Sequence, residues 1–437
     1  PLDRGKVPLH LEVSFRNREG HTFSLKQTID LLVGRKEVEV WTRKESIGEV
    51  GKKVPYFPDE LLPYYSPEKS LGRGGFARVF QAKRKKDGQA IALKVPLDPD
   101  DPQMRESFRK EISNWQRLRH GNIVELYEFG TVPLPFLEME LCEESLESLP
   151  KPFDPEKAAF IVFEAARGVE YAHRERIIHR DLKPSNILLK GGTPKITDWG
   201  LSRVKTESRT SSTKAFSPPY SAPEQHSPRR FGRVDERTDV FQLGIVLYQL
   251  STGRLPFAGE EYFEIASAVQ FEEPEPPSKL NPESAGLEPI IMKCLKKDKA
   301  ERFANVRELR QGLAEFLRQE YGRKVALSQE SKDFKKATFH SADLGLVSAE
   351  LGDFQDMQKQ LKDVEEFARL GFPEKLAACV LHSMEVIFNM LRLCYGEKEG
   401  KVRYGEVKQQ YNVLQEFLSS AKLAQDVESD PELGGIF

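Results

Sequence analysis

Residues 175–189 read ERIIHRDLKPSNILL. Five polar side chains, His179, Arg180, Asp181, Lys183 and Asn186, stand between two apolar stretches, Ile177–Ile178 and Ile187–Leu189. The flanks are short and β-branched or leucine-rich, which suits brief buried strands on either side of a loop. A loop pinned at both ends and dense in polar groups is where catalytic residues gather. The same letters also fit a solvated turn with an aspartate at its start and Pro184 punctuating it. The rest of the chain has to decide between these two readings.

At 437 residues the chain exceeds one ordinary domain, and two or three are expected. A composition 39% hydrophobic and 31% charged supplies both cores and a soluble surface. The formal charge of −2 provides no global field for nucleic acid or anionic membrane, so neither is expected as a partner. Cys142, Cys294, Cys379 and Cys394 lie far apart without a CxxC pair or matching histidine spacing. They read as core thiols of a reducing, cytoplasmic compartment rather than disulfides or zinc ligands. No stretch approaches the roughly 18 apolar residues of a membrane span, and the start PLDRGKVP lacks a signal-peptide apolar region. The first residue is Pro1 rather than Met, which fits a fragment with further chain upstream.

Three regions differ in pattern. Residues 1–66 form a small β-rich segment: LHLEVSF (9–15) alternates, NREG (17–20) is a turn, HTFSL (21–25) a return strand and VEVW (38–41) a further strand. It holds no constellation of catalytic side chains and reads as a packing or docking appendage. Residues 67–318 begin with strands around a turn at Asp87–Gly88, pass through an amphipathic helix at 103–119, and become mostly helical beyond about 150. Residues 325–437 are helical and nearly free of proline.

Within the middle region the chemistry-bearing residues follow an order. LGRGGFARVF (71–80) sets Gly72, Gly74 and Gly75 between strand residues, and glycines let a hairpin approach phosphate oxygens. A plain bulged hairpin explains the same letters, and no GK[ST] follows to make a Walker loop. Lys94 ends the apolar strand AIALK (90–94), where it is either a solvated edge lysine or one that reaches phosphate and needs a carboxylate to hold it. Glu111, on the helix FRKEISNWQRL, is the candidate carboxylate. Asp198 follows the short strand at 194–196, and with Asn186 it offers the hard oxygen ligands that Mg²⁺ uses in phosphoryl transfer. Asp181 would then accept and orient the attacking hydroxyl's proton, while Lys183 offsets charge on the moving group. No G-x-S-x-G stretch and no HExxH spacing competes.

Taken in this order, the residues resemble the eukaryotic-type protein kinase family. G-x-G-x-x-G-x-V appears as Gly72, Gly74, Ala77 and Val79, with alanine in place of the third glycine. His179-Arg180-Asp181 with Asn186, Asp198-Trp199-Gly200, Ala222-Pro223-Glu224, the stretch 239–244 and Arg302 follow at the family's positions. The resemblance implies an α+β, bilobal kinase fold, with a small lobe at about 67–142 and a large helical lobe at about 143–318. It also implies Mg-ATP and protein serines or threonines as substrates. It places Leu71, Gly72, Gly74, Gly75, Val79, Ala92, Lys94, Met139, Glu140, Cys142 and Leu188 around the nucleotide, with Met139 as gatekeeper and Glu140 to Cys142 as hinge. The Lys183 form of the loop matches serine/threonine rather than tyrosine kinases, and Ser217 takes the place of the usual threonine in the substrate-facing loop. Arg180 would pair with a phosphate on the Ser/Thr-rich loop VKTESRTSSTKAF, on Thr213 foremost and on Thr210 next, ordering that loop after autophosphorylation. A pseudokinase-like nucleotide-binding scaffold and a small-molecule kinase are the alternative readings.

Two further expectations concern packing. Trp115 and Trp199 are read either as indoles in mutual contact beside the metal aspartate or as separate core fillers. Leu344-Gly345 followed by Gly352-Asp353-Phe354 has tetratricopeptide-like spacing, without an evident second copy in 372–421. An irregular bundle on the large lobe is expected there, with a partner-binding groove as the sharper reading.

Overall fold

A computed structural model describes residues 6–16, 22–32, 54–75, 77–199, 217–372 and 374–395. The chain divides into two compact units, Pro1–Pro55 and Tyr56–Phe437. In the first, strands β1 (Lys6–Arg16) and β2 (Thr22–Leu32) pair antiparallel. Their register sets Leu9, Val13 and Phe15 opposite Ile29, Leu25 and Phe23, as a period-two apolar pattern requires. The turn expected at 17–20 and the strand expected at 38–41 lie outside the described residues.

The second unit opens with a five-stranded antiparallel sheet in the order β3-β4-β5-β7-β6. Its strands are β3 (Tyr65–Arg73), β4 (Ala77–Arg84), β5 (Ala90–Pro96), β6 (Leu126–Gly130) and β7 (Phe136–Glu140). The β4–β5 turn needs Gly88, whose φ of 77° lies in the left-handed region and whose N–H donates to Arg84 O. Helix α1 (Pro102–Trp115) packs on β5. Phe108, Glu111, Ile112 and Trp115 follow i, i+3, i+4, i+7 spacing and are all buried, so one carboxylate is carried inward with the apolar face. The helix stops at Trp115, short of the 119 expected, as Leu118 N–H turns back to Trp115 O and the Trp115 indole N–H donates to Val124 O at 2.8 Å.

Past Glu140 the chain is mainly helical: α2 (Pro155–Arg174), α3 (Glu236–Thr252), α4 (Tyr262–Phe271), α5 (Glu288–Cys294) and α6 (Val306–Glu330). Asp154 caps α2 through Glu156 N–H with Pro155 at its first position, and Asp235 caps α3 through Arg237 N–H. A small sheet, ordered β10-β9-β8, joins β8 (Glu144–Ser145), which precedes α2, to β9 (Ile187–Lys190) and β10 (Thr193–Ile196), which follow it. The polar stretch 179–186 is thus strung between the end of α2 and β9. Its upstream flank is not a strand, since Ile177 N–H bonds back to Ala172 O.

Helices α7 (Phe334–Glu350), α8 (Phe354–Gly371) and α9 (Glu374–Tyr395) follow. Helix α6 runs unbroken through 318–325, where the sequence pattern set a change of region. The reason is its apolar spacing: Leu313, Leu317, Tyr321 and Val325 continue one buried face across that point. One core accordingly extends from Ala77 and Trp115 through Val246 to Leu313, Val347 and Phe367. A smaller one joins α7, α8 and α9 through Ala342, Met357, Met384 and Phe388. Gly345 permits it, because a Cβ there would meet the Phe388 ring at 2.4 Å.

Candidate active site

Helix α3 is almost wholly buried, and two of its polar residues reach the quoted loop. Asp239 accepts from His179 N–H at 2.9 Å and Arg180 N–H at 2.8 Å, and lies 2.7 Å from His173 Nε2. Gln242 accepts from Leu182 N–H at 3.0 Å and donates to Arg180 O at 2.8 Å, where Gln225 donates as well. Arg180 sits at φ 69°, a left-handed backbone that costs a non-glycine residue of order 1–3 kcal/mol. Bonds to both its N–H and its carbonyl hold it there. The loop is therefore a fixed platform.

On that platform Asp181 is shared. Lys183 Nζ lies 2.9 Å from Asp181 Oδ2, Asn186 Nδ2 donates to Asp181 O at 2.8 Å, and Ser217 N–H reaches Asp181 Oδ1 at 3.3 Å. Lys183 also donates to Ser217 Oγ at 2.6 Å. The Asn186 amide nitrogen is thus engaged by Asp181. Thr197 N–H donates to Asn186 O at 3.1 Å, which ties the loop to the segment carrying Asp198.

Asp198, at φ 66°, stands opposite the small lobe's ion pair. Lys94 Nζ is 2.6 Å from Glu111 Oε1 and 2.5 Å from Asp198 Oδ1. Burial works against the Lys94 ammonium, yet the Asp198 and Glu111 carboxylates outweigh it and hold its pKa above the usual lysine range. Burial likewise opposes ionisation of Asp198, but Lys94 keeps its carboxyl below the ordinary value. Glu111 is pushed up by burial in spite of Lys94, and among the described residues its Oε2 finds no hydrogen-bond partner. Of the two carboxylates beside Lys94, Asp198 is the accessible one, with a side chain 34% exposed, while Glu111 is wholly buried.

Trp199 does not stack on Trp115. Its described ring partner is His179, edge-on at 4.8 Å, and its indole N–H donates to Ile196 O at 3.3 Å. Both indoles are buried in one core, each pinned to a different carbonyl. They are separate fillers.

The glycine-rich lip is formed by strand residues. Gly72 pairs with Val79, Gly74 N–H donates to Ala77 O at 2.8 Å, and a Cβ at Gly72 or Gly75 would meet nothing within 4 Å. Ala77, in place of the third glycine, turns its methyl into the core with Ala92. Ala92 lies opposite Met139, while Val79, Leu141, Cys142 and Leu188 border the same core, and Leu71 is 43% exposed at the hairpin. Glu140 N–H is spent on Glu125 O, and its carboxylate takes Lys195 at 2.9 Å. Burial, with Glu140 beside it, pushes the Cys142 thiol up to about 12. The open space over the glycines and the oxygen donors Asp198 and Asn186 together fit a magnesium-bound nucleotide.

Thr210 and Thr213 lie outside the described residues, as does Gly200. The end of that segment is fixed: Glu224 makes a bidentate pair with Arg302 at 2.9 Å and accepts from Thr238 Oγ1 at 2.7 Å, all buried. Gln225, Asp239 and Gln242 have partners 45 to 66 residues away, beyond any local motif. Polar residues at i and i+3 within an apolar helix were the available signal for the last two.

Residues 65–316 match the protein kinase domain. That is more than half of the chain, and the chain belongs to the protein kinase family. It is similar to serine/threonine-protein kinase PknB of Mycobacterium tuberculosis (strain H37Rv), 32% identical over 274 residues that cover 59% of this chain and 43% of the relative. A probable serine/threonine-protein kinase of Streptomyces coelicolor is 33% identical over 271 residues, 58% of this chain and 40% of the relative. The chain spans less than half the length of these curated relatives. Among the described residues, no helix is long and apolar enough to cross a membrane.

Proposed function

We propose that the chain transfers the γ-phosphoryl group of ATP to serine or threonine hydroxyls of proteins. The observation that carries this reading is the disposition of charge. Lys94 bridges Glu111 and Asp198 on one side of the cleft, while Asp181 faces Lys183 and Ser217 on the other. Leu71, Val79, Ala92, Met139 and Leu188 take the adenine, the hinge backbone from Glu140 to Cys142 bonds it, and Gly72, Gly74 and Gly75 cover the phosphates. Asp198 and Asn186 would hold Mg²⁺, which when bound would neutralise phosphate charge. Lys94, steadied by Glu111, orients the phosphates.

Asp181 receives the proton as the substrate oxygen attacks γ-phosphorus. The bond from γ-phosphorus to the bridging oxygen breaks, and ADP leaves. Lys183, already against Asp181 and Ser217, balances charge on the transferred group. Arg180 is the acceptor site for a phosphate at Thr213 or Thr210, and activation by autophosphorylation follows from it. The setting is cytoplasmic. Helices α7 and α8 form one tetratricopeptide-like pair that offers a face to a protein partner.

The test is incubation of the chain with labelled ATP, Mg²⁺ and a basic protein, beside Asp181→Asn, Asp198→Asn and Thr213→Ala. We expect phosphoserine or phosphothreonine from the unaltered chain, none from either aspartate variant, and reduced transfer from Thr213→Ala. Binding of Mg-ATP without any transfer would replace this reading with the nucleotide-binding scaffold.

A further inference from the structure

A line of buried polar groups joins the C-terminal helices to the strand that delivers Asp198. Glu350 is the last residue of α7, the end of a helix where the backbone dipole disfavours a carboxylate. It is nevertheless buried, because it pairs with two guanidinium groups at once, Arg167 of α2 and Arg310 of α6. Arg167 in turn lies 3.4 Å from Glu164 Oε1, and Glu164 Oε2 accepts from Asn122 Nδ2 at 3.2 Å. Asn122 then grips β10 twice: Nδ2 donates to Pro194 O at 3.1 Å, and Asn122 O accepts from Ile196 N–H at 2.9 Å. Gly168 allows α2 to lie against it, since a Cβ there would meet Asn122 O at 2.6 Å. Two residues beyond Ile196 stands Asp198.

We propose that Glu350 is a positioning residue for the metal-binding aspartate, so that the C-terminal helices set the magnesium requirement of the site. This rests on Asp198 being the metal ligand. The alternation of charge explains the action. Glu350 draws Arg167 to one side, so that Glu164 is shared between Arg167 at Oε1 and the Asn122 amide at Oε2. Without the Glu350 charge, Arg167 turns its full attraction on Glu164, the Asn122 bond weakens, and β10 loses its grip at Pro194. The carboxylate of Asp198 then samples positions away from the cation.

The experiment measures ATP binding by titration calorimetry as Mg²⁺ is varied, together with the melting temperature and kcat. For Glu350→Gln we expect the Mg²⁺ needed for half-maximal tight binding to rise about three- to tenfold, within the range of couplings carried by such networks. Metal-free ATP binding, and kcat at saturating Mg²⁺, should stay near the unaltered chain's. Arg318→Met cuts a different tie, from α6 to Asp353, and is expected to lower melting without moving the Mg²⁺ requirement. Asn122→Asp acts at the far end and leaves the C-terminal helices untouched. It should give the same shift as Glu350→Gln, and it carries the test if the latter does not fold. A lower melting temperature with unchanged Mg²⁺ dependence in either variant would make Glu350 merely structural and overturn the proposal. If Asp198→Asn also leaves the dependence unchanged, the metal reading itself falls, and the proposal with it.

Discussion

His226 sits at the end of the segment 217–226 with both ring nitrogens engaged, Nε2 with Ser221 Oγ at 2.5 Å and Nδ1 with Tyr262 Oη at 3.3 Å. Burial pushes its pKa down to about 4, only partly countered by Glu224. An unfolded histidine titrates near 6.5, so between about 6.5 and 4 the unfolded chain binds a proton that the folded one refuses. The contribution is fully present above that window and is lost as pH falls through it. Urea midpoints measured from pH 7 down to pH 4.5 should therefore fall less steeply for His226→Gln than for the unaltered chain, and equal slopes would refute this. Side chains that contact their own neighbourhood, such as Lys183 beside Asp181, were legible in the sequence as motif positions. Asp239 and Gln242 lie in the stretch 239–244 that the resemblance picked out and His226 does not, but the partners of all three come from segments that only the fold brings near.

Among the elements, the end of the segment 217–224 hangs on one buried pair. Glu224 and Arg302 are both without solvent contact, and Arg302 also donates to Lys296, Lys297 and Arg237 carbonyls. Removing the carboxylate leaves a desolvated guanidinium with no counter-charge. Glu224→Ala should cost about 3–5 kcal/mol in chemical denaturation. Glu224→Ala with Arg302→Met should recover part of that loss; a double variant no more stable than the single one would count against the explanation. Element types followed well from periodicity: the glycine hairpin, the inward face of α1 and the helical large lobe all lie where the pattern set them. The misjudged ends have local causes. Helix α1 closes at Trp115 because the chain must turn for Val124 to reach the indole, and Ile177 stays attached to α2 rather than entering a strand.

For the whole molecule, the informative feature is that the core does not stop where the kinase match stops. Leu344, Val347 and Phe367 belong to the same apolar cluster as Val246 and Leu313. A chain ended after residue 318 would lose half of α6, all of α7 to α9, and the carboxylate shared by Arg167 and Arg310. It should be recovered in aggregates or melt well below a chain ended after residue 395, a comparison that differential scanning fluorimetry makes directly. Equal melting would show the helices to be dispensable. This continuity was hidden in the sequence because apolar letters at helical spacing look alike whether the helix belongs to a lobe or an appendage. A lone glutamate closing the small-residue helix ADLGLVSAE was the one visible hint. There is a consequence for descent and for engineering. A catalytic domain exchanged at the family boundary would arrive with two guanidinium groups facing a partner it had left behind, so lobe and helices can be inherited, shuffled or transplanted only as a single piece.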